Sequence, residues 1–264
     1  MKKVLLLFAI FFSLKSFSQK DSIVNFLDKN GSITKNKQEA HSFEIITKKA
    51  GSLWFVRSYN RNGKIFRQGH YKNKNLKKPL GQFITYFKNG KPSHIEHYDL
   101  KGHKKGKTEG WFHNGNKNYE GIYDGNKKEG VWKYYHFTGG LASRVYYKND
   151  SVLKVIEIDD RGGQKKYREA QNKKAQFKGG KKKFAEKIKK LSKSINYTVK
   201  GKVHVSFFVG IDGKISDVEI DEKLPEMLHN QIVNYFKSIK GWSPAENFHR
   251  KHPVYYSIPL NFRS

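Results

Sequence analysis

The stretch Lys202–Ile220, KVHVSFFVGIDGKISDVEI, alternates Val203, Val205, Phe207 and Val209 with His204, Ser206 and Phe208. That period of two marks a half-buried strand. Asp212-Gly213 follows, a dipeptide that supplies the two positive-φ residues of a tight hairpin turn. If Ile211 pairs with Lys214, Phe207 faces Val218 and Val205 faces Ile220 on one apolar side. Ser206 then faces Glu219, and Phe208 faces Asp217, on the other. A slip of one residue would mix the two faces, so the register is strongly specified.

Working outward, Phe184, Ile188, Leu191 and Ile195 recur at helical spacing behind Gly180, which predicts a helix before the hairpin. Leu224, Leu228, Ile232, Phe236 and Ile239 share one face of a second helix, with Pro225 in its first turn and Gly241 beyond its end. Val254-Tyr255-Tyr256-Ser257-Ile258-Pro259-Leu260-Asn261-Phe262 alternates again. The order α-β-β-α-β predicts two helices on an antiparallel sheet. Pro259 has no N–H for a ladder, so its outward side belongs at a sheet edge.

These residues resemble the TonB C-terminal domain family. The resemblance rests on Gly179-Gly180, on Gly201-Lys202-Val203-His204-Val205-Ser206-Phe207, on Asp212-Gly213 with Ile215-Ser216-Asp217-Val218, on Lys240-Gly241-Trp242-Ser243-Pro244-Ala245, and on the closing strand. It covers nearly all of 176–264, with the domain placed at 179–264. One departure is Tyr197-Thr198, where the family carries Tyr-Pro. The resemblance implies partner binding by strand addition, in which an extended peptide of an outer-membrane transporter pairs with an exposed edge. Carried onto this chain, the partner-binding residues are Val254, Tyr255, Tyr256, Ser257 and Ile258. Family members that transduce energy have an uncleaved membrane helix and a long Pro-rich spacer; this chain has six scattered prolines.

The preceding part of the chain repeats. Asn62-Gly63, Asn89-Gly90, Asn114-Gly115 and Thr138-Gly139 are each followed eight residues after the glycine by a tyrosine: Tyr71, Tyr98, Tyr123 and Tyr147. Aromatic strands open on a glycine at Gly81, Gly110 and Gly130. The unit is an aromatic strand, a turn, and a return strand. One such hairpin is unstable alone, whereas stacked copies share their faces. The pattern resembles the MORN-type repeat in its exported bacterial variant over about 57–148, most closely at Gly121 to Tyr135. A hairpin of Ser42–Thr47 and Leu53–Tyr59 caps it in front, and Val152–Ile158 forms the last strand. The short interval from Gly110 to Gly115 predicts a clipped strand. The fold class expected is therefore mainly β plus α+β: a repeat domain over 19–160, a basic linker over 161–178, then the C-terminal domain.

Lys2 and Lys3, the apolar run Val4–Phe12 and the small residues Ser16 and Ser18 read as a signal peptide over 1–18. Export to the periplasm or the outer-membrane side of the envelope is expected. The formal charge is +30 over 264 residues, spread along the chain without a recognisable nucleic-acid module. It reads as solubility and adhesion to anionic envelope surfaces. Cysteine is absent, so there are no disulfides and no thiolate metal sites. His94 and His97, like His249 and His252, are spaced by three in turn or strand contexts, where they fall on opposite faces. No nucleophile stands with an oriented base, and no metal, cofactor or catalytic residue is expected. The reading is an exported protein-binding module without enzymatic activity. Two alternatives stay open: an energy transducer held by an uncleaved N-terminus, and a repeat protein whose aromatic face binds surface glycan or lipid.

Overall fold

The computed structural model describes residues 22–49, 51–158, 162–165, 172–195, 202–247 and 250–261. The expected signal peptide, Tyr197-Thr198 and Phe262 lie outside these. Among the described residues twelve strands form one antiparallel sheet in strict sequence order. They are β1 (Ser22–Leu27), β2 (Ser42–Lys48), β3 (Trp54–Asn60), β4 (Ile65–Tyr71), β5 (Pro79–Tyr86) and β6 (Pro92–Tyr98). There follow β7 (Gly106–Trp111), β8 (Lys117–Asp124), β9 (Lys127–Tyr135), β10 (Leu141–Lys148), β11 (Ser151–Ile158) and β12 (Gln164–Lys165). The repeat is thus a meander of hairpins. The strand expected to be clipped at Gly110 instead begins earlier, at Gly106, and pairs along its length with β8.

The four repeat turns share one geometry. In each, the residue two before the Asn or Thr exchanges backbone bonds with the residue after the glycine and with the glycine itself, as in Phe87 N to Lys91 O (2.8 Å) and Gly90 N to Phe87 O (2.9 Å). The glycine takes positive φ, 82° at Gly90 and 96° at Gly115, while the residue before it does not; at Asn62, Asn89 and Asn114 that residue caps the turn with its side chain. Asn114 Oδ1 accepts from Asn116 N at 3.0 Å. The same amide then donates from Nδ2 to Phe137 O of the following turn, also at 3.0 Å. Asn89 Nδ2 does likewise to His113 O. An aspartate could keep the first bond and would lose the second. Asn114→Asp is expected to lower stability by about 0.5–1.5 kcal/mol, the worth of one hydrogen bond, read from urea unfolding.

Across the sheet, rings lie flat on glycines of the neighbouring strand. A Cβ on Gly121 would sit 2.2 Å from the Trp132 indole, and one on Gly69 would sit 2.4 Å from the Phe83 ring. Trp132 is 2 % exposed and packs with Tyr134, Val145 and Tyr147. Its Nε1 donates to Ile122 O at 3.1 Å. Trp132 is therefore core, shielded from solvent, while Trp54 and Trp111 are half-buried.

The C-terminal part runs β13 (Gln176–Phe177), α1 (Gly180–Ser194), β14 (Lys202–Val209), β15 (Ile215–Ile220), α2 (Glu226–Ser238), β16 (Trp242–Ser243), β17 (Ala245–Asn247), β18 (Arg250–His252) and β19 (Val254–Asn261). Its central sheet has the order β15-β14-β19. Val203, Val205, Phe207, Val209, Leu191, Leu228, Ile232, Phe236 and Leu260 close one core with both helices. The stretch 161–178 read as a linker is partly structural. Gln164 and Lys165 add a rung to the first sheet, Phe177 pairs with Trp242, and Ala175 and Phe177 are buried in the second core.

The register of the β14–β15 hairpin holds at Val205–Ile220 and Ser206–Glu219 but shifts by one nearer the turn, where Phe208 faces Ser216 and Val209 faces Ile215. The reason is the turn. Gly210, not Ile211, closes it, bonding Lys214 O at 2.8 Å. Gly213 alone takes positive φ (76°), and Asp212 Oδ1 accepts from Lys214 N, the arrangement of the repeat turns again. The extra turn residue is compensated by a bulge at Asp217, whose φ is +48°. Bulges of this kind re-aim a side chain, and here the side chain is a carboxylate.

Candidate functional site

The five residues expected to meet a partner lie on β19. Its inner edge pairs with β14 in unbroken register, from Val209–Val254 to Lys202–Asn261. Among the described residues no strand pairs with its outer edge. His204 fixes which groups face outward. Its N–H donates to Glu222 Oε2 (2.8 Å) and its carbonyl accepts from Asp221 N (3.1 Å), both on the β15 side. Opposite His204 stands Pro259, so the proline faces away from β14. By alternation the N–H and C=O groups of Tyr255 and Ser257 also face the open edge. Val254, Tyr256 and Ile258 pack their side chains on the core, and the Tyr256 hydroxyl donates to Ala175 O at 3.2 Å. Tyr255, 45 % exposed, and Ser257 point to the opposite face. Alongside the open edge runs a groove of about 490 Å³ between Phe184, Ile188 and Ser192 of α1 and Ile258, Pro259 and Asn261 of β19.

The opposite face of this sheet meets the turn end of the repeats. Lys88 Nζ, from the β5–β6 turn, donates to Ser206 Oγ and Asp221 Oδ1, each at 2.8 Å. Burial works against its charge, yet the Asp221 bond, with Tyr255 and Asp221 nearby, holds the ammonium above its ordinary value. His113, from the β7–β8 turn, stacks on Phe208 with centroids 4.0 Å apart. Its Nε2 lies 3.1 Å from Asp217 Oδ2, so the bulge carboxylate is aimed at the first sheet. Farther along, Arg250 of β18, 7 % exposed, reaches the other way. Its Nη1 donates to Asn118 O (3.0 Å), Asn118 Oδ1 (2.6 Å) and Tyr135 O (2.6 Å). Phe112 and Tyr134 lie against the guanidinium. Burial draws its pKa down to about 10, so it is charged at neutral pH.

Lys88, His113, Asp217 and Arg250 escaped the sequence reading. One signal was present: Lys88 and His113 hold the same turn position, just before the Asn-Gly pair, where residue type varies while the turn persists. His249 of the second histidine pair lies outside the described residues, and among those described no group of three or more His, Cys, Asp or Glu converges.

Residues 56–73 and 128–149 match the MORN repeat variant. The first MORN segment covers most of β3, the Asn62-Gly63 turn and β4. The second covers β9 and β10 with Trp132 and Tyr147, and both fall on the hairpins that carry the repeat pattern. No curated protein matches the chain.

Burial lowers the pKa of His113, with Asp217 opposing and Lys91 adding to the shift; His70, His94 and His252 are lowered too, each mainly by burial. Below their ordinary value the unfolded chain binds more protons than the folded one. Stability therefore rises with pH through this window and is lost as pH falls below about 6.5. The urea midpoint is expected to drop between about pH 7.5 and 5.5, and His113→Gln is expected to flatten part of that slope.

Proposed function

We propose that the protein is an exported cell-envelope binding module, not an enzyme, that takes up an extended peptide as an added strand along β19. The observation that carries this reading is the open outer edge of β19, with the backbone groups of Tyr255 and Ser257 directed away from their own sheet. Unpaired strand edges are templates for another chain. The groove beside α1 gives alternate side chains of such a peptide a seat of apolar residues with Lys189 and Lys193 also on its lining. The α-β-β-α-β order and the sequence landmarks described above support a TonB C-terminal-like module, and with it a partner such as the periplasmic peptide of an outer-membrane transporter.

The test is amide exchange and NMR of the full chain with an extended TonB-box-like peptide. Slowed exchange at Tyr255 and Ser257, with shifts across 254–258, supports the reading. A peptide that leaves these amides untouched overturns it. Intact mass of the native protein separates export from anchoring: loss of residues 1–18 rules out the energy transducer held by its N-terminus.

A further inference from the structure

Asparagine precedes glycine at Asn30-Gly31, Asn62-Gly63, Asn89-Gly90 and Asn114-Gly115. Such a pair carries chemistry of its own. The glycine nitrogen has no neighbouring Cβ to shield it, and it can attack the asparagine side-chain carbon Cγ. A C–N bond forms and closes a succinimide ring, while the Cγ–Nδ2 bond breaks. The glycine N–H proton goes to the departing nitrogen, which leaves as ammonia. Water then opens the ring at either carbonyl and gives aspartate or isoaspartate. Nothing is oxidised or reduced, and water is the sole co-reactant.

The pairs at 62, 89 and 114 sit in repeat turns of one geometry and form a matched set. In each the glycine N–H donates within the turn: Gly63 to Asn60 O (2.8 Å), Gly90 to Phe87 O (2.9 Å) and Gly115 to Phe112 O (2.8 Å). In each the asparagine Oδ1 accepts from the residue two further on, at 3.2 Å for Asn62 and 3.0 Å for Asn89 and Asn114. All three asparagines are exposed. They differ at the leaving group. Asn89 Nδ2 donates to His113 O and Asn114 Nδ2 to Phe137 O, each at 3.0 Å, which ties the side chain to the following turn. Lys91 Nζ holds Asn114 O as well, at 3.3 Å. Asn62 Nδ2 has no hydrogen-bond partner among the described residues. Asn30 belongs to a different loop, where the Asp28 carboxylate accepts from Asn30 N and Ser32 N and its negative charge opposes loss of the neighbouring Gly31 proton.

Reaching the succinimide swings Cγ toward the glycine nitrogen, so a tethered amide must first give up its bond. A hydrogen bond worth about 1 kcal/mol slows that step about fivefold. We propose that Asn62 is a site of spontaneous modification, the repeat turn at which the chain first loses a side-chain amide, and that the bonds between successive turns protect Asn89 and Asn114. The product bears on the fold. Isoaspartate adds a methylene to the backbone between 62 and 63. There Asn60 N to Lys64 O (2.9 Å) and Gly63 N to Asn60 O close the turn, and the turn sets the pairing of β3 with β4.

The experiment incubates the full chain at mildly alkaline pH and follows each pair by peptide mapping with mass spectrometry. Asn62 is expected to convert about fivefold faster than Asn89 or Asn114. In urea, where the turns are lost, the three rates are expected to converge. Equal rates in the native chain, or a faster Asn89 or Asn114, overturn the proposal. An Asn62 lead that persists unchanged in urea overturns it too, because the neighbouring sequence and not the turn contacts would then set the order. Asn62→Gln is expected to delay the first acidic species on ion exchange and to leave conversion at Asn89 unchanged; an undelayed acidic species overturns the assignment. Should that variant fold poorly, the native and urea rates of the unaltered chain decide alone.

Discussion

Trp132→Ala is expected to destabilise the repeat sheet by about 3–5 kcal/mol, the range for deleting a buried large aromatic. The indole is 2 % exposed, lies over Gly121, stacks near Tyr119 with centroids 5.7 Å apart, and uses its N–H on Ile122 O. A single-layered sheet has no second layer to collapse into the space left behind. Trp132→Phe keeps a ring over Gly121 and is expected to lose less than half as much. Gly121→Ala attacks the same contact from the other strand, since its methyl would overlap the indole, and an overpacking loss of about 1–3 kcal/mol follows. Combined with Trp132→Ala it should cost less than the sum of the two, because the methyl occupies part of the vacated space. Urea unfolding followed by circular dichroism checks all four variants; additivity would show that the ring and the glycine do not share a contact.

The second large effect is at Arg250. Removing it leaves Asn118 O, Asn118 Oδ1 and Tyr135 O without their donor and opens space between Phe112 and Tyr134. Arg250→Ala is expected to cost about 2–4 kcal/mol through unsatisfied buried acceptors. The loss falls on the contact between the two sheets more than on either core. Unfolding should separate into two transitions, one followed by the repeat aromatics and one by Trp242, while the native chain is expected to unfold with tighter coupling. Arg250→Lys should resemble the alanine variant, because an ammonium lacks the planar fork that spans these oxygens. A lysine variant with native stability would show that charge alone, without guanidinium geometry, holds the contact.

Legibility in the sequence followed the range of the interactions. Helices α1 and α2 announced themselves through apolar residues every three or four positions, and both formed where Phe184–Ile195 and Leu224–Ile239 placed them. The repeats were legible because each hairpin restates the same glycine, aromatic and Asn-Gly landmarks. Turn geometry was harder. Asp212-Gly213 suits both a two-residue turn and the longer one found, and the choice fell to Gly210 and to a side-chain bond from Asp212. The true pair of positive φ values occurs elsewhere, at Gly125-Asn126 and Asn149-Asp150. β13, β16, β17 and β18 are two or three residues long, too short to display a period. The contacts between the sheets were invisible for a different reason: Lys88 and Asp221, or Arg250 and Asn118, are more than a hundred positions apart. Each by itself reads as an ordinary surface residue. That no described strand pairs with the outer side of β19 agrees with the expectation drawn from Pro259, which has no N–H to donate there.

The bulge at Asp217 has an evolutionary and engineering corollary. Since the long turn and the bulge offset one another, the residue at 217 is a lone insertion in an otherwise continuous ladder. Excising it would leave the pairs on either side as they are and the core residues facing inward. Only the carboxylate that meets His113 would vanish. This one contact between the two halves is therefore modular: a single codon could add or delete it without renegotiating the hydrophobic interior, while those of Lys88 and Arg250 stay.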